Sequence, residues 1–321
     1  MLLFSASTIA GFALLIWGAD RFVVGAAGAA RNFGLPTLLI GLTVVAIATS
    51  APEILVSITA ALHDNTELAV GNAIGSNIAN IALVLGATAV VRPMIVRSTV
   101  LRREMPALLA VTLLTVMLFL DTYLGILDGI ILLGGLVLVM QWLVRLGSQA
   151  NDDVDPIQEE IAAEIPSDMS TGMALSWLAL GLVVLLVGAR MLVWGAHHIA
   201  INLGVSDLVI GLTIVAVGTS LPELATAIVA AFRRHSDVVI GNVIGSNIFN
   251  VLAILGTTTL VQPIAVGDQF RTVDALMVVG SSAFLLALLF ATQRIGRGWG
   301  ACMLATYAGY TAYLFQTGAV G

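Results

Sequence analysis

The chain reads as an all-α polytopic membrane protein of about ten transmembrane helices, arranged as two inverted five-helix repeats with broken helices at a central site. Three observations carry that prediction. Apolar runs of roughly 20 residues, the length a bilayer-spanning helix needs, recur from one end of the chain to the other. The stretch from Gly41 to Pro93 occurs twice. GLTVVAIATSAPEILVSITAA (41–61) aligns with 211–231 and GNAIGSNIANIALVLGATAVVRP (71–93) with 241–263, at a constant offset of 170 residues and with 25 of 53 positions identical. Each copy also carries a proline and a glutamate in mid-span, as Pro52-Glu53 and Pro222-Glu223.

Composition sets the class. With 59% hydrophobic and 10% charged residues and a mean hydropathy of +1.04, an ordinary soluble domain is excluded. Polar gaps are short and composition does not change along the chain, so one membrane domain is expected, not an anchor on a soluble body. The net charge of −6 is concentrated in one loop and speaks for no nucleic-acid partner. The opening MLLFSASTIAGFALLIWGAD lacks a basic n-region and runs straight into a span.

Taken in order, the spans fall at about 4–28, 35–62, 67–91, 104–121, 124–145, 172–196, 205–232, 237–261, 272–292 and 298–316. Residues 1–146 form the first repeat, with its motif at 41–93. Residues 172–321 form the second, with its motif at 211–263, and 147–171 is an acidic linker between them. Ile157, Ile161 and Ile165 permit one short amphipathic helix in that linker. All thirteen basic residues are arginines. With both termini outside, Arg31, Arg92, Arg97, Arg102, Arg103, Arg145, Arg233, Arg234, Arg294 and Arg297 all fall on inner connections, as the positive-inside rule asks. Five spans per copy is an odd number, so the second copy enters the membrane from the opposite side, an architecture common among secondary transporters. Matches at Gly18/Gly188 and Gly25/Gly195 extend the duplication backwards.

Thr49-Ser50-Ala51-Pro52-Glu53 is expected to break the second span. Pro52 lacks an N–H and pushes Ala51 out of helical geometry. Ser50 is placed to cap a new half-helix, and the carbonyls around Ala46 to Ala48 are expected to lose their partners. Thr219-Ser220-Leu221-Pro222-Glu223 repeats the device and frees carbonyls around Ala216 to Gly218. Glu53 and Glu223 are the carboxylates expected near mid-membrane, where an ionisable group is a functional hypothesis by default.

The third and eighth spans bring further oxygens. Asn72, Ser76 and Asn80 at i, i+4, i+8 line one helix face, as do Asn242, Ser246 and Asn250. Asn77 and Asn247 point elsewhere and are assigned packing or backbone bonding. Carboxylates, hydroxyls, amides and bare carbonyls suit a hard cation, Ca²⁺ above all, or Na⁺ by similar logic. His63, His197, His198 and His235 all fall at span ends, against an imidazole-bound transition metal. Two carboxylates balance one Ca²⁺ or two Na⁺, which is a physical basis for exchange. No cofactor is expected beyond the transported ions; the lipid bilayer is an expected partner, and the sequence names no protein partner.

G-(T/A)-S-x-P-E followed by G-N-x-I-G-S-N-I-x-N, present twice, resembles the α-repeats of the Ca²⁺/cation antiporter superfamily, most of all its prokaryotic sodium/calcium exchanger-like branch. The resemblance covers essentially all ten spans. It implies residence in the prokaryotic inner membrane and alternating access, with the first and sixth spans sliding past the other eight and Na⁺ influx driving Ca²⁺ out. It also implies Glu53, Glu223, Thr49 and Thr219 as Ca²⁺ ligands. Ser50, Ser76, Ser220, Ser246 and the carbonyls of Ala46 and Ala216 complete the Na⁺ sites on the same grounds. Two departures stand out. The first motif reads ATSAPE where the family usually has GTSLPE. Asn250 stands where some relatives have aspartate, which argues against K⁺ co-transport because an amide neutralises no extra cation. Proton coupling through Glu53 and Glu223 is the alternative on the same fold. An intramembrane hydrolase would need a base or partnered acid that the spans do not offer.

Outside the motifs, Asp20, Arg21 and Arg190 read as snorkelling or locally paired charges near a membrane face. Cys302 reads as a packed core thiol, and the tryptophans as interfacial anchors.

Overall fold

A computed structural model describes residues 1–35, 37–64, 66–96, 98–149, 169–203, 216–265 and 273–317. Helix α1 is Leu2–Asn32. Helix α2 (37–49) meets α3 (Ala51–Leu62) at a bend of 51°. Helix α4 (66–91) is followed by the short strand β1 (Met94–Ile95), helix α5 (Ser98–Leu118), strand β2 (Tyr123–Leu124) and helix α6 (Ile126–Gln149). The second half holds α7 (Thr171–Asn202), α8 (Ala216–Thr219), α9 (Leu221–Phe232), α10 (Ser236–Val261), β3 (Ile264–Ala265), α11 (Ala275–Thr292), β4 (Arg294–Ile295) and α12 (Arg297–Thr317).

Among the described residues, seven helices are long and apolar enough to cross a membrane, and the bent pair α2–α3 makes up to eight. The apolar helix α9 and the 21-residue α12 stand at two more of the expected spans. The chain is therefore an all-helical, polytopic integral membrane protein. Part of the seventh expected span (205–215), Arg97, Arg271 and nearly all of the acidic linker, including its amphipathic stretch, lie outside the described residues. Where the linker ends, Ser170 caps α7 by accepting from the Met173 N–H at 3.2 Å.

Burial separates centre from periphery. In α10, 94% of the most apolar stretch is buried and in α4 72%, against 22% in α1, 28% in α7 and 17% in α6. In a bilayer the outer helices can remain apolar all round, so polar residues concentrate on the two central ones.

Helices α1 and α7 run antiparallel along a seam of glycines. A Cβ added at Gly11, Gly18 or Gly25 would lie 2.3–2.5 Å from the backbone nitrogens of Leu192, Leu185 and Leu178. Gly181 and Gly188 reciprocate against Phe22 and Leu15. Spacing of seven keeps these positions on one helix stripe. Only hydrogen at each one lets two membrane helices touch backbone to backbone. Gly245 plays the same role in the core, where a Cβ would lie 2.3 Å from the Leu42 carbonyl oxygen.

The two halves are clasped twice more. β1 pairs antiparallel with β4 through Met94↔Ile295 and Ile95↔Arg294, and β2 with β3 through Tyr123↔Ala265 and Leu124↔Ile264. Each clasp joins one half to the other.

Two peripheral readings come out differently. Asp20 is partnered neither by Arg21 nor by Arg190 but by Arg233 at the end of α9, whose Nε and Nη2 both donate to Asp20 Oδ1. Arg21 instead lies over the rings of Trp17 and Trp177. Cys302, expected in the core, is exposed on α12. An apolar run identifies a membrane helix without saying which of its faces meets lipid, so the thiol's address was not readable from its neighbours.

Candidate cation site

The site is built where α2 gives way to α3 and α8 to α9. Ser50 and Ser220 occupy matching junctions, with φ −81°, ψ 7° and φ −86°, ψ 4°. Proline follows in the first turn of each new helix, where its missing N–H is not needed. Glu53 and Glu223 sit in the same first turns, so each carboxyl lies at the positive end of a helix dipole. Both are 1% exposed.

The breaks differ from expectation in two respects. Neither serine hydroxyl caps its half-helix. Ser50 Oγ instead donates across to Glu223 Oε1 at 3.4 Å, joining the first half to the carboxyl of the second. The Ala46 carbonyl is not bare either. It accepts from the Ser50 backbone N–H at 3.0 Å, with the Thr49 and Ser246 hydroxyls at 3.4 Å. The chain bends without fully unwinding, so this backbone oxygen keeps a helical partner while hydroxyls converge on it.

The central helices contribute through their asparagines. Asn72 Nδ2 donates to the Glu53 carbonyl and to Ser57 Oγ, both at 2.9 Å, and so holds α3 in place. Asn242 Oδ1 accepts from Thr49 at 3.2 Å. Asn77 Nδ2 donates to the Asn247 carbonyl and Asn247 Nδ2 to the Asn77 carbonyl, each at 3.1 Å, a reciprocal lock between residues 170 apart. That bears out the backbone-bonding role expected of the pair. Asn80 Nδ2 adds a bond to Asn247 Oδ1 at 3.0 Å.

Replacing Asn247 by alanine removes a donor to one partner and an acceptor from another, whereas Asn77→Ala removes a single donated bond. At about 1–3 kcal/mol per buried group left unpaired, thermal unfolding in detergent is expected to rank Asn247→Ala well below Asn77→Ala. Equal losses would mean that the lock does not hold the halves as described.

Asn80 and Asn250 each open a π-helical segment, Asn80–Leu85 and Asn250–Ile254. Such wide turns frequently mark functional sites. They are the feature that reading the sequence missed, and no residue pattern in 80–85 or 250–254 announces them. At these two positions and at the two glutamates, a fully buried oxygen has no hydrogen-bond partner among the described residues: Glu53 Oε2, Glu223 Oε2, Asn80 Oδ1 and Asn250 Oδ1, with Asn77 Oδ1 and Asn250 Nδ2 left in the same way. The two glutamates, and Asn80 with Asn250, form two pairs at the 170-residue offset. Of the other expected ligands, Ser76, Ser220 and Ser246 are buried with them, and Thr219 closes α8 half-buried beside Ser220. Ala216 opens α8, and the residues just before it lie outside the described set. Among the described residues no cluster of three or more His, Cys, Asp or Glu could hold a metal. The arrangement can bind a cation through oxygen alone, neutralised by two carboxylates.

Known proteins match this architecture over its whole length. The profile of the sodium/calcium exchanger protein family matches residues 4–147 and 173–316. The inner membrane protein YrbG of Escherichia coli (strain K12) is 41% identical over 317 residues, covering 98% of both chains. The sodium/calcium exchanger MaX1 of Methanosarcina acetivorans is 29% identical over 337 residues, covering 95% of this chain and 96% of that one. Among solved structures, the sodium-calcium exchanger NCX_Mj superposes with a TM-score of 0.84 at 36% identity, covering 98% of this chain and 99% of that one.

Proposed function

The chain belongs to the sodium/calcium exchanger protein family, a family of transporters, and from that premise we propose that this cation antiporter exchanges Na⁺ for Ca²⁺ by alternating access and expels Ca²⁺. The observation that carries this reading is that Glu53 and Glu223, and with them Asn80 and Asn250, each keep a buried oxygen without a hydrogen-bond partner among the described residues, in two pairs related by the repeat. Buried acceptors without donors are costly, and a cation is the partner that satisfies carboxylate and amide oxygens at once.

In this reading Ca²⁺ is held by Glu53 and Glu223 with the hydroxyls of Thr49 and Thr219. Na⁺ uses the same carboxylates with Ser50, Ser76, Ser220, Ser246, Asn80 and Asn250 and the carbonyls of Ala46 and Ala216. Shared carboxylates make the two ions mutually exclusive, and that exclusion is what couples them. The ten spans form two inverted repeats in the inner membrane of a prokaryotic cell, with both termini outside. Support comes from α1 and its repeat partner α7 running antiparallel and from the arginines of the inner connections. α1 and α7 slide as one body against the other helices. Asp20–Arg233 ties that body to α9 in the state described here.

The test is ⁴⁵Ca²⁺ uptake into proteoliposomes preloaded with Na⁺, with K⁺ or choline as replacement and with an imposed pH gradient in parallel. Uptake is expected to require internal Na⁺ and to ignore the pH gradient. Uptake driven by protons without Na⁺ would replace the coupling ion while leaving the site standing, and no uptake under either gradient would overturn Ca²⁺ as substrate.

A further inference from the structure

Four arginines that the ion site does not use gather where three helices end. Arg297, the first residue of α12, donates Nε to the Val90 carbonyl at the end of α4, at 3.2 Å. Arg92, just past α4, donates Nη1 to the Phe232 carbonyl at the end of α9, at 3.0 Å. Arg233 and Arg234 follow Phe232, and the β1–β4 register sets Arg294 opposite Ile95. Arg233 is engaged by Asp20. Arg92, Arg234, Arg294 and Arg297 form no ion pair among the described residues. A guanidinium carries five N–H donors. Arg92 and Arg297 each spend one, which orients the fork and leaves the others for a further acceptor.

Large apolar side chains are exposed among these charges: Ile95 at 74%, Phe232 at 58% and Trp299 at 43%. A site for a free anion has no use for them. A surface that carries guanidinium and hydrocarbon side by side matches the boundary between phosphate and acyl chain.

The duplication supplies an internal comparison, since the same fold recurs at the other end of the molecule with none of these arginines at the matching positions. Arg92 corresponds to Gln262, Arg233 to His63 and Arg234 to Asp64 at the 170-residue offset. Through the matching strand registers, Met94↔Ile295 against Leu124↔Ile264, Arg294 corresponds to Tyr123 and Arg297 to Ile126. The turn there is held without arginine, by Gln262 Nε2 donating to Asp64 Oδ1 at 3.1 Å. Asp64 and Arg234 even share a left-handed backbone, with φ of 59° and 60°. Closing the helix ends therefore does not require arginine; the positive-inside bias places cations on this face, and their grouping at one junction beside exposed hydrocarbon is what remains to be explained.

We propose that this patch is a binding site for the headgroup of an acidic phospholipid. The forks of Arg92, Arg234, Arg294 and Arg297 take the phosphate, and Phe232, Ile95 and Trp299 take the adjoining acyl region. Planar guanidinium is suited to phosphate oxygens. The inner leaflet to which the arginine bias assigns this face is the one that presents acidic lipid.

The experiment is native mass spectrometry of the purified full chain in neutral detergent, titrated with phosphatidylglycerol or with phosphatidylcholine. Phosphatidylglycerol is expected to be retained at roughly tenfold lower concentration than phosphatidylcholine, the preference falling at least severalfold in Arg92→Gln/Arg297→Gln. Arg234→Gln/Arg294→Gln is expected to lose it too, and among the described residues those two side chains make no hydrogen bond whose loss would unsettle the fold. Arg190→Gln, an exposed charge on α7 away from the patch, is expected to bind as the parent does. Equal retention of both lipids, retention unchanged in both double variants, or displacement of the lipid by excess inorganic phosphate would each overturn the proposal. The readout involves no transport, so it stands or falls separately from the exchange reaction.

Discussion

Glu53→Gln and Glu223→Gln are each expected to abolish divalent transport while leaving the protein folded. A divalent ion facing one carboxylate retains about one uncompensated charge, and burying such a charge costs several kcal/mol. At roughly 1.4 kcal/mol per decade, affinity for Ca²⁺ falls by two orders of magnitude or more. The fold has no reason to suffer. Glutamine keeps the shape, and its oxygen can still accept from Ser50 as Glu223 Oε1 does at 3.4 Å. In ion-free detergent each variant is expected to melt no lower than the parent, because glutamine is isosteric and brings no charge to bury, and to gain nothing from added Ca²⁺. Flux and Ca²⁺-dependent thermal shift on the same preparations check both halves of this expectation. Transport that survives in both variants would sink the site assignment.

Gly18→Leu in α1, or Gly188→Leu in α7, is expected to yield little monodisperse protein. At Gly18 even the first carbon of a side chain would fall 2.4 Å from the Leu185 nitrogen and 2.8 Å from its Cα. Backbone atoms cannot swing aside as a side-chain end can, so the helices must part. Parting them at Gly18 also loosens Gly11, Gly25 and Gly181 along the seam. Gly18→Ala alone is expected to cost at least the roughly 1–3 kcal/mol of an overpacked core. Gly280→Ala, at an exposed helical position with nothing within 4 Å of the added carbon, should instead be neutral or stabilising by up to about 1 kcal/mol. Size-exclusion profiles and melting temperatures of the four variants give the comparison. A Gly18→Leu protein as monodisperse as the parent would refute the close contact.

Much of this architecture was readable from residue order because a bilayer leaves few options. Apolar length announced the helices, and a repeated Pro-Glu in mid-span announced where they bend. The duplication then paired Glu53 with Glu223 and Asn80 with Asn250 before any contact was known. What stayed hidden depended on direction and not on identity. Ser50 could serve its own helix or the opposite carboxyl, and only the relative placement of the halves decides for the latter. Asn72 and Asn242 were seen on the right faces, yet their bonds to the Glu53 carbonyl and to Thr49 depend on interhelical distances that no spacing encodes. The π-helical turns at Asn80 and Asn250 shift register by one residue, below what periodicity can detect. Asp20 found Arg233, 213 residues away, in preference to its sequence neighbour.

The clasps between halves bear on how the molecule comes to exist. β1 pairs with β4 and β2 with β3, so Met94 leaves the ribosome about 200 residues ahead of Ile295. At roughly 5–20 residues per second of synthesis, that is an interval of about 10–40 s. Through most of it α1 has no α7 to lie against, and Glu53 waits in or beside the bilayer for the Ser220 and Glu223 turn. The nascent first half is thus a membrane protein with an unfinished interior, and its early fate rests with the lipids and insertion machinery around it. An arrest of translation before the second half should leave that segment a ready substrate for membrane proteases.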